Sequence, residues 1–489
     1  MQRPRSAHTL TLFGLLIAGC VSFPRARDEG GPQWIQVETP HFRLATDMDA
    51  QTAEEVAGML ESWWQAMTQV VAREQGLSHG DSGRQGASEP YLAISLRSKR
   101  ERDGVHYDFN GVFMDFRIAP PAISIGDVGD DEGRQTVRHE LAHAFLYEQL
   151  PRMPRWMNEG MAVYLQTSDI DERSHAVTWG ARNETFTRLY REFGASVPME
   201  QLLSPEGWSG FAYGRREFYA GLLVHMLVNR HPSELDCYLQ KLETDVDLDA
   251  AFTTCFASRA KWQSELDDYA YNTFNTRTAP FEAPPLQPRT TPLGDADTHT
   301  VLAIFDLMAA SAATPEYRAE HEQRARANIR RALELDPNQL RAGLLQLEEP
   351  DLAPRSFADL SAALVRSHPT DWRVWVARTW AEGISGAEEE QAAEQAFRLA
   401  PDEAQVLQVA AIRSLGRRNW EEAHALANRS WLRGSTTKWN RIVLAVAAGQ
   451  LGRCTESRSW APTSSADKPA FTSEVARIHA RLALKDPCP

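Results

Sequence analysis

Arg138-His-Glu-Leu-Ala-His-Ala-Phe145 is the stretch from which the rest of the chain can be read. Residues four apart on a helix share a face, so His139 and His143 can aim both imidazoles at one point. Glu140 is rotated about a quarter turn from them, where its carboxylate can reach a water on an ion without binding the ion itself. That spacing predicts a helical zinc site with a general base beside it. A structural site would close its fourth position, whereas a hydrolytic one keeps it for water. The competing reading is an amphipathic helix with two histidines at its polar boundary, so a second element has to decide.

That element follows 16 residues after His143, where Glu159 stands in Pro154-Arg-Trp-Met-Asn-Glu-Gly-Met-Ala-Val-Tyr-Leu-Gln166. Its helical-face neighbours Trp156, Ala162 and Val163 are all apolar. A carboxylate on such a face is costly unless a positive group meets it. An ion held by two histidines is such a partner and keeps Glu159 ionised. The alternative is a half-exposed glutamate near a helix start. Two imidazoles and one carboxylate suit tetrahedral zinc, although iron, cobalt and manganese accept the same donors.

Together, His139-Glu-Leu-Ala-His143 and Trp156-Met-Asn-Glu-Gly-Met-Ala-Val-Tyr164 resemble the gluzincin metallopeptidases, specifically the peptidase MA-like domains of bacterial exported proteins. The resemblance spans roughly residues 33–272; it is specific at the two motifs and loose elsewhere. It implies an α+β zincin-like domain with a mixed sheet and one Zn2+ per chain. It makes His139, His143 and Glu159 the ligands, Glu140 the general base, and a peptide or protein the substrate. Phe211-Ala-Tyr-Gly-Arg-Arg-Glu-Phe-Tyr219 and the residues to Leu227 resemble the aromatic helix that follows the ligands in that family. Tyr213 or Tyr219 is then the candidate to polarise the oxyanion, and either reads equally as core. His225, among Leu223, Met226 and Val228, reads as a core histidine, and His106 as a loop residue.

Length and composition agree with a folded, multi-domain chain. At 489 residues, two or three domains are expected, and 43% apolar with 24% charged residues is ordinary globular composition. A net charge of −14 argues against nucleic acid and against broad binding to anionic lipid.

The N-terminus speaks to compartment. Arg3 and Arg5 precede the apolar run Leu10–Ile17, which is too short for a permanent membrane span and fits a secretory signal. Ala18-Gly19 directly before Cys20 resembles the bacterial lipobox, with Ile17 where leucine is usual. The resemblance implies removal of residues 1–19, lipidation of Cys20 and a tether over 20–32. Val21 stands where an inner-membrane retention aspartate would be, which favours the outer membrane. The membrane is then engaged through the lipid only. An ordinary signal peptide with an incidental cysteine is the other reading. Cys237, Cys255, Cys454 and Cys488 form two local pairs, and an oxidising compartment predicts Cys237–Cys255 and Cys454–Cys488 among three possible pairings.

Along the chain, residues 34–46 read as two short strands broken at Pro40, and residues 49–73 as a helix. Trp63 and Trp64 read as core and surface packing. Residues 76–89 are Gly/Ser-rich and read as a loop, followed by strands at 91–96, 111–116 and 122–125. Asp130 and Asp131 can cap the metal helix. One of the last two strands is the candidate edge for pairing with a substrate backbone. The metallopeptidase domain is placed at 33–275, which implies that a chain ending near 275 folds and binds metal alone.

Residues 276–299 carry prolines at 280, 284, 285, 288 and 292 and read as a linker. From 300 to 489 the chain reads as all-helical. Leu335-Asp-Pro337, Ser367-His-Pro369 and Leu399-Ala-Pro401 place prolines 32 residues apart, and Leu415-Gly-Arg417 returns as Leu451-Gly-Arg453. This resembles degenerate tetratricopeptide repeats, clearest from Ala404 to Arg433, whose concave face implies a protein partner. A purely structural helical extension is the alternative. Two functional expectations follow: an exported zinc peptidase, or a zinc-fold scaffold acting through its repeats in the cell envelope. The presence of Glu140 favours the first, because a scaffold has no use for a base beside its ligand.

Overall fold

The structure is a computed structural model, and it describes residues 23–71, 89–97, 111–126, 128–181, 197–208, 211–244, 248–269, 275–283, 285–348, 356–461, 468–484 and 488. The signal segment, Cys20, His106 and nearly all of the 76–89 loop lie outside these.

The centre is a six-stranded mixed sheet in the order β4-β5-β3-β2-β1-β9. Its members are β1 (Ile35–Glu38), β2 (Phe42–Thr46), β3 (Tyr91–Ser95), β4 (Gly111–Met114), β5 (Ala122–Ile125) and β9 (Arg289–Pro292). β2, β3 and β5 run parallel, while β4, β1 and β9 each pair antiparallel with their neighbour. Of the two strands ahead of the metal helix, β4 is therefore the one at the sheet edge, and β5 is interior.

Strand alternation explains how the sheet is covered on both faces. Phe42, Leu44, Ala93 and Ile123 face one core, where they meet α1 (Ala50–Ala66) and α2 (Asp131–Gln149) through Leu60, Trp63, Trp64, Leu141 and Phe145. Trp64 packs edge-on to both Phe42 and Phe145, so both tryptophans of α1 are core residues rather than one core and one surface. α1 passes into a π turn at Met67–Val71. Ala45, Leu92, Ile94 and Ala122 face the opposite core, where α9 (Asp295–Ala312) supplies Val301, Ile304, Phe305 and Met308.

The first core is extended by α3 (Arg155–Gln166), α4 (Met199–Leu203), α5 (Phe211–Arg230), α6 (Pro232–Thr244), α7 (Leu248–Phe256) and α8 (Arg259–Tyr269). A small sheet is formed by β6 (Asp169–Asp171), β7 (Ala176–Trp179) and β8 (Arg277–Pro280). A disulfide joins Cys237 in α6 to Cys255 in α7, and another joins Cys454 to Cys488.

Residues 276–299 differ from the linker expected of them. β8 pairs with β7, β9 pairs with β1 in the main sheet, and α9 starts at Asp295. The prolines are tolerated because both strands are edges, with Pro280 and Pro292 at their last positions, where a missing N–H costs no ladder bond. The described part of the 20–32 tether also differs, since residues 23–32 lie against the helical layer. Phe23 sits under the Arg324 guanidinium, Ala26 is buried, and Asp28 accepts from His299 at 2.9 Å and from Arg331 at 2.8 Å.

The helical layer continues with α10 (Pro315–Leu335), α11 (Leu340–Glu348), α12 (Phe357–Ser367), α13 (Trp372–Thr379), α14 (Gly386–Leu399), α15 (Ala404–Gly416), α16 (Trp420–Leu432) and α17 (Lys438–Gln450), then α18 (Cys454–Ser459) and α19 (Lys468–Arg481). α10, α12 and α14 end directly ahead of the three recurring proline turns, so the 32-residue spacing is a spacing of helix ends. Two carboxylates bind this layer to the sheet. Glu348 accepts from the backbone N–H groups of Arg117, Ile118 and Ala119 at 3.0, 2.7 and 2.6 Å. Glu89 lies 2.6 Å from Arg43, 2.8 Å from Arg373 and 3.7 Å from Arg341. An α+β domain is thus followed by a helical one that supplies its third layer.

Candidate metal centre

α2 begins where Asp130 accepts from the Gly133 N–H at 2.8 Å, with Asp131 and Glu132 in its first turn favouring its positive end. Its buried face carries Val137, Leu141 and Phe145, and this orientation fixes where His139 and His143 point. Their Nε2 atoms stand 3.0 Å apart. Glu159 Oε2 of α3 completes a triangle, 3.6 Å from His139 Nε2 and 3.4 Å from His143 Nε2. This group can hold a metal ion. Three ligands about 2.0–2.2 Å from a tetrahedral ion would be separated by about 3.3–3.6 Å; the two carboxylate–imidazole separations match this, and the 3.0 Å between the imidazoles is slightly shorter.

The outer nitrogens are held by α3. His139 Nδ1 meets Gln166 Oε1 at 2.9 Å, and His143 Nδ1 meets Asn158 Oδ1. A side-chain carbonyl accepts, so each Nδ1 carries the hydrogen and each Nε2 presents its lone pair inward. Tyr213 of α5 donates to Glu159 Oε2 at 3.0 Å, and Arg155 Nε approaches Glu159 Oε1 at 3.8 Å. Glu217, one turn after Tyr213, brings a third carboxylate to 3.8 Å from His139 Nδ1.

Close packing of α5 against α3 makes these last contacts feasible. A Cβ at Gly160 would lie 2.5 Å from the Ala220 carbonyl oxygen, and one at Gly221 would lie 2.3 Å from Val163. Only glycine at these two places lets the helices approach so closely. Glu140 is also positioned from outside its own helix. Its Oε2 accepts from the Phe113 N–H of β4 at 2.7 Å, and its stem lies against Gly111, where a Cβ would come within 2.7 Å.

The electrostatics call for a cation. Burial would depress the His139 imidazole, but Glu159, Glu217 and Glu140 outweigh it and carry its pKa to about 10. Burial likewise works to raise Glu159, yet the two imidazoles hold it far below the ordinary carboxylate range. Glu217 is pushed up to about 7, chiefly by burial. The Tyr213 hydroxyl is raised by burial and by the surrounding carboxylates.

Of the residues singled out in the sequence, His139, His143, Glu140, Glu159 and Tyr213 come together. Tyr219 does not share their face. Six residues on from Tyr213 it has turned about 240° around α5, and it is buried in the apolar core edge-on to Phe218. His225 is a hydrogen-bonded core residue, 2.9 Å from the Gly180 carbonyl and 2.6 Å from the Tyr269 hydroxyl. Asn158, Gln166 and Glu217 were not picked out in the sequence. Glu217 carried the signal that marks Glu159, a carboxylate among apolar residues on one helix. Gln166 lies two turns beyond Glu159 on the same face. Comparison with protein-family models, with curated proteins and with solved structures finds no match to this chain.

Proposed function

We propose that the protein is an exported, lipid-anchored zinc metallopeptidase of the gluzincin type, with a zincin-like domain followed by tetratricopeptide-like helices. The observation that carries this reading is the His139–His143–Glu159 triangle with both Nδ1 atoms tied outward and Glu140 beside it. Zinc fits the donor set best, two imidazoles and one carboxylate converging on one point. When bound, zinc supplies Lewis acidity to a water and to the scissile carbonyl.

This chain's own residues do the rest. The outer edge of β4, unpaired with another strand among the described residues, offers the backbone groups not held by Glu140 to an extended peptide, laying it across the centre. Glu140 takes a proton from the attacking water on its carboxylate and delivers it to the leaving amine. Its hydrogen bond to Phe113 aims that carboxylate from the strand on which the peptide lies. Tyr213 holds Glu159 and, by exchanging that hydrogen bond, offers its O–H to the developing oxyanion. Gln166 and Asn158 keep the imidazoles oriented.

Export and anchoring rest on the signal segment and Cys20, which point to the bacterial envelope and, through Val21, to its outer membrane. No helix among the described residues is long and apolar enough to cross a membrane. The deciding comparison is wild type against Glu140→Gln, each assayed for metal content and for cleavage of a mixed peptide library. Both chains should hold one zinc, and only wild type should cut. Zinc in both with cleavage in neither supports a binding scaffold instead.

A further inference from the structure

Beside the metal ligands lies a cationic feature that the proposed chemistry does not use. Arg155, one turn before Glu159 on α3, is half-exposed, and its guanidinium lies 5.6 Å from the ring centres of both Trp208 and Tyr213. Trp208 is buried and held by its indole N–H on the Ser204 carbonyl at 2.8 Å. A second guanidinium, that of Arg216, lies 5.9 Å from the same indole and is pinned by donation to the Glu206 carbonyl.

Among the described residues neither cation makes a close hydrogen bond to a carboxylate. Among the described residues Arg216 has no acidic partner, and the nearest acid to Arg155 is Glu159 at 3.8 Å. That separation exceeds the roughly 2.7–2.9 Å of a charge-assisted hydrogen bond. Glu159 is moreover committed through its other oxygen to His139, His143 and Tyr213. Two guanidiniums are therefore held in place on aromatic rings at the rim of the centre, with donors to spare. Planar forks of this kind match a carboxylate.

We propose that Arg155 and Arg216, flanking Trp208, form a carboxylate-recognising subsite that makes the centre select peptides with an anionic group next to the cut. An extended chain advances about 3.3–3.6 Å per residue. Arg155, 3.8 Å from the outer oxygen Oε1 of Glu159, thus meets a carboxylate within about one or two residues of the scissile carbonyl. The carboxylate is either the free C-terminus of a substrate or an Asp or Glu side chain. These arginines are specificity-determining residues, and their assignment rests on the peptidase reading for what happens after binding, though not for binding itself.

The test measures binding apart from hydrolysis. Zinc-loaded, full-length Glu140→Gln protein is titrated calorimetrically with one alanine-rich, N-acetylated pentapeptide in three forms: free acid, C-terminal amide, and amide carrying a single Glu. At least one carboxylate form should bind about tenfold tighter than the neutral amide, and which one does so identifies the source of the anion. That ratio should fall toward one when Arg155→Gln and Arg216→Gln are combined with Glu140→Gln. Each arginine substitution is also made singly, and zinc content and thermal unfolding are measured in every variant, so that loss of fold is told from loss of the subsite. Equal binding of all three peptides, no binding of any, or a preference that survives both arginine substitutions overturns the subsite. Wild type that prefers the carboxylate peptides yet cuts none leaves the subsite standing and removes the peptidase reading. Cleavage of neutral and acidic peptides alike does the reverse.

Discussion

The carboxylate of Glu140 on the metal helix accepts a hydrogen bond from the Phe113 N–H on the edge strand at 2.7 Å. This carboxylate is therefore aimed by the strand as well as by its own helix. Replacing Glu140 by Gln keeps the shape and an acceptor oxygen for Phe113 but removes the basic site. Peptide cleavage should fall by about 10²–10⁴-fold with zinc stoichiometry unchanged, as read by metal analysis beside the assay. Loss of metal together with activity would show that Glu140 serves the ligands instead.

Gly160 adjoins Glu159 at the closest approach of α3 and α5. Gly160→Ala places a methyl group 2.5 Å from a backbone oxygen that cannot swing away. The helices must separate, which should cost about 1–3 kcal/mol, visible in thermal unfolding. Because Tyr213 and Glu217 ride on α5, zinc affinity should drop as well. An unchanged melting curve would show that the two helices have room to spare.

Gln166 and Asn158 hold the outer nitrogens of His139 and His143. Gln166→Ala and Asn158→Ala should each weaken zinc binding by about 10–100-fold in a chelator competition while leaving the fold intact. Glu217→Gln should act in the same direction, since its carboxylate favours positive charge at His139. Affinity equal to wild type in all three would place these residues outside the working centre.

Glu89 links the sheet to the helical layer. Burial alone would raise its pKa, but Arg341, Arg373 and Arg43 outweigh it and hold the carboxyl below its ordinary value. A depressed folded-state pKa means stability that is present above the unfolded value near 4.5 and is lost as pH falls through the lower folded value. Acid unfolding of Glu89→Gln should therefore show a shallower loss below that point. At neutral pH the variant leaves the largely buried Arg341 without its carboxylate, and destabilisation of about 3 kcal/mol is expected in urea titration.

A chain ending near residue 275 loses β8, β9, α9 and the helices beyond. Leu92, Ile94 and their neighbours on the second sheet face would then be uncovered. Each such side chain contributes about 1.5–3 kcal/mol through burial. The truncated chain should aggregate or fail to bind zinc, whereas a chain extended through the helical layer should be soluble. A monomeric, zinc-binding product ending at 275 would show that the sheet tolerates one bare face.

Much of the centre was legible because it is written in short-range order. The four-residue spacing of His139 and His143, the carboxylate of Glu159 among apolar neighbours and the capping aspartate Asp130 all act within a turn or two of helix, where sequence separation and spatial separation coincide. The strands at 35–46, 91–95 and 122–125 were visible for the same reason. The proline-rich 276–299 was misleading because proline marks both spacers and edge strands, and only the partner strand distinguishes them. Here β1 and β7 are those partners.

The sequence by itself determined the grouping of His139, His143 and Glu159, its helical phase and the periodicity of the helical layer. Tertiary structure alone decided that β4 is the edge, that Tyr213 rather than Tyr219 faces the ligands, and that Asn158, Gln166 and Glu217 surround them. It also decided that the helical layer is part of the sheet's core and that residues 23–32 are docked on it. The physical reason is common to these: each depends on which apolar face a segment buries against a distant one. Leu92 and Ile94 needed α9, and Gly160 needed Ala220, partners that no local pattern names.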